Sequence, residues 1–213
     1  MDALERIISL GRVGGHPALD LINTVDWRDR PITQPGAAEE LLPDYACLLA
    51  WCREGGVLEA AEARRLEALG RSRPEAAEAV AAAARSLREA LLRLIRAVQA
   101  GQAPPREELA ELNQWLQRDP LRLRADQAGF AWTGGPADDL EAPLPRLARL
   151  GAELLTSGKL DRVQCCGGPG CGWLFLDTSP NRRRRWCSME GCGNRAKAKR
   201  HYIKEKQLTK KKL

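Results

Sequence analysis

The sequence predicts a mainly α body carrying one small β-hairpin (an α+β fold), followed by a C-terminal module of treble-clef-like type built around four cysteines. Three observations predict it. Ala and Leu dominate the first two thirds of the 213 residues and recur at helical spacing. A short period-two alternation beginning at Leu121 interrupts them. Cys166 and Cys171 have four residues between them, Cys187 and Cys192 have four as well, and fifteen separate the pairs.

Taken in order, a helix is expected over 17–29, where Ala18, Ile22 and Val25 repeat beside Leu21 and Pro17 suits a first turn. Pro31, Pro35 and Gly36 make 30–40 a loop. A second helix starts near Pro43-Asp44 and stops at Gly55-Gly56, a glycine cap. A third covers about 58–71. A long one follows Pro74 to about Ala100, burying Leu87, Leu91, Leu94, Ile95 and Val98. Another spans about 106–117. Leu121-Arg-Leu-Arg and Gly129 to Thr133 form the hairpin. Residues 139–157 return to helix through Leu147, Leu150, Leu154 and Leu155, and Ser157-Gly158 marks its end and a hinge. Thr209 to Leu213 are expected to fray. Cys47 and Cys52, about 140° apart on one helix, are core residues, as are Trp51 and Trp115.

Composition sets outer bounds. Hydrophobic residues at 44% can fill a core and charged residues at 29% suit a soluble chain. No run approaches the roughly 20 apolar residues of a membrane span, and no signal peptide is visible at the start. With no export signal, seven cysteines point to metal rather than a disulfide framework. Charge is polarised: residues 1–158 carry a net −5 and 159–213 a net +11, with every lysine in the latter. So abrupt a change divides the chain into an acidic helical domain, 1–158, and a basic module, 159–213.

In that module Cys166-Gly-Gly-Pro-Gly-Cys171 is a turn by composition, Val163 and Trp173 to Leu176 flank it as short strands, and a helix begins near Ser188. Zn²⁺ takes four soft thiolates, and two local turns can each present two. Cys166, Cys171, Cys187 and Cys192 are therefore the expected ligands of one structural zinc ion, with the equal spacing favouring Cys166 over Cys165. Four filled positions leave no place for a catalytic water, and no nucleophile–base pairing is apparent, so no enzyme is expected. His201 lies more than two helical turns beyond Cys192 and suits a surface role.

The basic residues point to nucleic acid. Arg183, Arg184 and Arg185 precede the second cysteine pair. On the last helix Lys197, Arg200 and Lys204 form a ridge able to neutralise phosphates, and Asn194 and Arg195 are types that read adenine and guanine edges. Cys192, Ala196 and Ile203 share a face expected to pack on the knuckle and hairpin.

Two segments resemble a known family. Cys-Gly-Trp-Leu-Phe-Leu-Asp-Thr-Ser, Arg-Arg-Trp-Cys-Ser-Met and Cys192-Gly193-Asn194-Arg195 resemble the CGNR zinc finger. Gly15-His16-Pro17-Ala18-Leu19-Asp20-Leu21-Ile22-Asn23-Thr24 is similar to the opening of the ABATE domain that accompanies this finger in bacteria. The resemblance implies a stress-induced transcription regulator, zinc on the four cysteines, and DNA binding through the finger.

On the helix expected over 17–29, Asp20, Asn23, Thr24 and Trp27 form a polar stripe with His16 just before it. These residues read either as one wall of a pocket for a small-molecule effector or as capping and interhelical hydrogen bonds. A DNA-binding regulator, acting in the cytoplasm on the nucleoid and dimerising through its N-terminal body, is expected first. An RNA-binding or ribosome-associated zinc protein and a protein-interaction adaptor stand as alternatives.

Overall fold

The computed structural model describes residues 3–30, 38–118, 122–126, 129–133 and 139–210. Residues 31–37 of the loop expected over 30–40, the start of the hairpin at Leu121 and residues 211–213 of the segment expected to fray lie outside the described residues. The helices are α1 (Ala3–Ser9), α2 (Pro17–Ile22), α3 (Tyr45–Glu54), α4 (Ala60–Ser72), α5 (Pro74–Gln99), α6 (Arg106–Gln117), α7 (Pro143–Thr156) and α8 (Asn194–Lys210). The strands are β1 (Val25–Asp26), β2 (Glu39–Glu40), β3 (Arg122–Asp126), β4 (Gly129–Thr133), β5 (Val163–Cys165) and β6 (Leu174–Leu176). No helix among the described residues is long and apolar enough to cross a membrane.

The chain forms two compact units, and neither is continuous in sequence. One comprises residues 1–11 and 40–161, the other 12–39 and 162–213. Contacts therefore do not divide at a single point near 158: a stretch close to the N-terminus belongs with the C-terminal module.

The first unit is helical around α5. Leu87, Leu91, Leu94 and Ile95 are buried there as expected, whereas Val98 stays 40% exposed because it falls in the helix's last turn, just ahead of the cap at Ala100 and Gly101. Asp44 caps α3 by accepting from the Cys47 amide at 2.8 Å. Gly151 on α7 faces Leu91, where a Cβ would stand 2.3 Å from a methyl carbon, so a small residue lets α7 approach α5. Cys47, Cys52, Trp51 and Trp115 are core residues. β3 and β4 pair antiparallel, Arg122 opposite Thr133 and Asp126 opposite Gly129.

Two buried arginines brace this unit. Arg146 donates to both Glu62 oxygens at 2.7 and 2.8 Å and to the Val57 carbonyl at 3.1 Å. Arg88 donates to both Glu40 oxygens at 2.7 and 2.6 Å. Burial works against the Arg88 charge, but the carboxylates of Glu40 and Glu89 overcome it, so its hold on its proton is strengthened.

In the second unit β5 and β6 pair antiparallel, Val163 opposite Leu176 and Cys165 opposite Leu174. The other edge of β6 is occupied by the N-terminal segment. Leu176 donates its amide to the Gly14 carbonyl at 2.7 Å. Asn23 acts as a surrogate strand residue: its Nδ2 donates to the Leu174 carbonyl and its Oδ1 accepts from the Leu174 amide, each at 2.8 Å. That use of Asn23 explains why the helix expected over 17–29 stops at Ile22. Thr24 turns its hydroxyl back to the Leu21 carbonyl, Val25 and Asp26 are extended, and Trp27 sits at φ +52°.

Candidate metal centre and nucleic-acid interface

The hairpin loop between β5 and β6 carries the first cysteine pair. Strand alternation sends neighbouring side chains to opposite faces. Cys166 therefore turns inward and is buried, and Cys165 is exposed. Of the second pair, Cys187 precedes and Cys192 lies within a single π-helical turn, Met189–Gly193, whose start is capped by Ser188 accepting from the Gly191 amide at 3.2 Å. α8 follows directly, at Asn194. A hairpin holding the first pair in its loop, a ligand-bearing turn and a helix thus follow one another, as fits a zinc finger.

The four sulfurs of Cys166, Cys171, Cys187 and Cys192 lie within 4.8 Å of one another, and all four residues are buried. Cys171 and Cys187 sulfurs are 3.9 Å apart and those of Cys187 and Cys192 3.7 Å. Tetrahedral zinc with bonds of about 2.3 Å spaces its sulfurs by about 3.8 Å. The donor set therefore fits one zinc ion. Amides of Gly168 and Cys187 point at the Cys166 sulfur at 3.4 and 3.3 Å, which offsets thiolate charge. A Cβ at Gly168 would stand 2.8 Å from the Cys192 sulfur, so only glycine leaves the knuckle room to close. Protons alone support fewer thiolates than a dication would: hydrogen bonds from Cys171 and Cys187 drive the Cys166 thiol far down. The Cys187 thiol is pushed up to about 12, chiefly through its hydrogen bond with Cys166.

Family comparison agrees with the geometry. The model described as "CGNR zinc finger" matches residues 162–205, and the ABATE model, described as "Putative stress-induced transcription regulator", matches residues 15–158. The chain belongs to the ABATE family. A CGNR finger with this cluster of four cysteines carries one structural zinc ion. No curated protein matches the chain.

The ABATE opening motif is largely structural here. His16 caps α2, its Nδ1 accepting from the Ala18 amide at 3.2 Å. Asp20 is buried and accepts from the Gly14 amide at 2.8 Å; burial raises its pKa. Asn23 and Thr24 are buried and bonded to backbone as described. Of the five residues read as a possible pocket wall, Trp27 borders a cavity of about 420 Å³.

The arginines divide in the same way. Arg184 is half-buried, donating to the carbonyls of Val13 at 2.9 Å, Trp186 at 3.0 Å and Cys187, with its guanidinium 4.3 Å above the Phe175 ring. Arg195 donates to the Cys192 sulfur at 2.9 Å and lies 4.7 Å from the Trp27 ring centroid. Arg184 is held by these backbone carbonyls, whereas Arg195 stays exposed while it touches Cys192 and Trp27. Arg183, Arg185, Asn194, Lys197, Arg200 and Lys204 are exposed. Ile203 is 44% exposed and borders the same cavity as Trp27 instead of packing on the knuckle. Sequence reasoning missed Arg30, Trp186 and Lys199 on that cavity. The recurrence of Trp and Arg at 27 and 30 was the available signal.

Proposed function

We propose that this ABATE–CGNR chain is a DNA-binding transcription regulator whose zinc-braced unit presents α8 to duplex phosphates. The carrying observation is the exposed cationic row Lys197, Arg200 and Lys204 on α8, joined by exposed Arg183 and Arg185. Each cation that neutralises a phosphate releases counterions, so binding should weaken steeply with salt. What favours duplex over single-stranded RNA is the fate of the aromatics. Phe175 is buried and the Trp173 indole is bonded to the Val25 carbonyl at 2.9 Å, so neither is free to stack on a base, and on α8 only Tyr202, of the Phe, Tyr and Trp residues, offers an exposed ring beside the cations. A homodimer would supply the second set of contacts that one finger lacks, and the cytoplasmic nucleoid is where such a protein would act.

The test is binding of the full zinc-loaded chain to a random duplex pool across ionic strength. Five phosphate contacts give a log–log slope of about −4.5. Lys204→Ala should weaken all sequences equally and flatten the slope by about 1. Salt-independent affinity removes the phosphate contacts, and tighter binding to single-stranded RNA moves the function to the RNA alternative.

A further inference from the structure

Within the finger-bearing unit a cavity of about 420 Å³ opens between the Trp27–Arg30 turn, the Gly167–Pro169 knuckle, Arg185-Trp186 and one face of α8. Its chemistry differs from that of the cationic row. Trp27, Pro169, Trp186 and Ile203 give it an apolar lining, while Arg30, Arg185, Lys199 and Arg200 set cations around it. The Arg30 and Arg195 guanidiniums lie 3.6 and 4.7 Å from the Trp27 ring centroid, so both packing and charge are concentrated on this turn. Among the described residues no carboxylate lines it. A duplex, whose phosphates lie on a convex surface, cannot enter such a concavity, and bare phosphate would leave the aromatic lining unused. The complementary ligand has a flat apolar body and a negative headgroup.

We infer that this cavity is a binding site for a small planar organic anion, a ring-bearing carboxylate or phosphate. The ring lies against Trp186, Pro169 and Ile203, and the headgroup meets Arg30 and Lys199. Arg185 and Arg200 serve both the cavity and the proposed DNA surface, so a bound anion lowers duplex affinity; that second half rests on the DNA-binding proposal. The effector site thereby moves from the buried polar residues of the ABATE opening to the turn that follows them.

The zinc-loaded full chain is titrated with 2-naphthoate and with 2-naphthylmethanol, which share a ring and differ in charge. Equilibrium dialysis gives affinity and stoichiometry, and indole N–H resonances, assigned with Trp→Phe variants, give location. Naphthoate should bind one to one and at least about tenfold tighter than the alcohol, shifting Trp27 and Trp186 but not Trp51 or Trp115. Lys199→Gln should lose about tenfold in naphthoate affinity with zinc content unchanged, and Arg30→Gln checks the same headgroup from the other side. Replacing naphthoate by 2-naphthyl phosphate distinguishes the two headgroups. Equal affinity for the alcohol, displacement by inorganic phosphate at the same concentration as naphthoate, or no saturable binding overturns the site. Saturation with no change in duplex affinity overturns its coupling to DNA. Saturation by a chain that binds no duplex at all removes the DNA-binding proposal and leaves the cavity's ligand in place.

Discussion

Single residues carry unusual weight in the second unit. Asn23 partners both the amide and the carbonyl of Leu174, so Asn23→Ala strands one donor and one acceptor. Each unsatisfied group costs about 1–3 kcal/mol, and a loss of about 2–6 kcal/mol in urea unfolding is expected. Two buried carboxyls of the same unit respond to pH with opposite signs. Burial raises the Asp20 pKa, so the folded chain keeps that proton longer than the unfolded chain. The Asp20 contribution to stability therefore falls as pH rises from about 4. Asp20→Asn, which can still accept from Gly14, should gain on the wild type as pH rises above about 4. Asp177 is the reverse case. Hydrogen bonds from Ser179, and the Arg184 amide at 3.0 Å, hold its pKa down, so its stabilisation is present above about pH 4 and disappears below its native value. Asp177→Asn should be destabilised at pH 7 and approach the wild type in acid. Cys187→Ala should lose stoichiometric zinc and the finger's fold, while Cys165→Ser should keep both, as elemental analysis would report. The spacing of the cysteines made the ligands legible, because a metal demands a fixed donor count. Arg195 was not legible as a sulfur partner, because nothing in its local pattern distinguishes a base reader from a clamp on Cys192.

At the scale of elements, legibility followed the source of each element's stability. α3, α5 and α6 lie within two residues of expectation because their own apolar stripes and end signals define them. α2 is short for a reason that no local window contains: β6 competes for Asn23 and wins two short hydrogen bonds. The same limit applies to α8, where periodicity grouped Ile203 with Cys192 yet could not show that Ile203 borders a cavity. The buried pairs are likewise invisible to pattern. Glu62→Ala should cost about 3–5 kcal/mol, because Arg146 would be left buried and charged. The double change Arg146→Met, Glu62→Leu should recover most of that loss in thermal unfolding, since the desolvation cost then goes with the charge.

For the whole molecule, composition showed two bodies of opposite charge but not that the second is assembled from both ends of the chain. A fragment beginning at residue 159 carries every zinc ligand yet lacks Gly14, Asn23 and Val25, the partners of Leu176, Leu174 and Trp173. That fragment should bind zinc but unfold at lower denaturant than the same unit in the intact chain, and a peptide spanning 12–39 added in trans should restore protection of the Leu174 and Leu176 amides in hydrogen exchange. Biosynthesis feels this arrangement too. Asn23 leaves the ribosome 151 residues ahead of Leu174, a delay of roughly 8–30 seconds at about 5–20 residues per second. Throughout it Leu19, Leu21 and Ile22, fully buried in the finished protein, are a greasy stretch on a nascent chain with nowhere to go. Metal capture by all four cysteines must wait for Cys192 to emerge, and a cell short of zinc would accumulate this chain as a client for its chaperones.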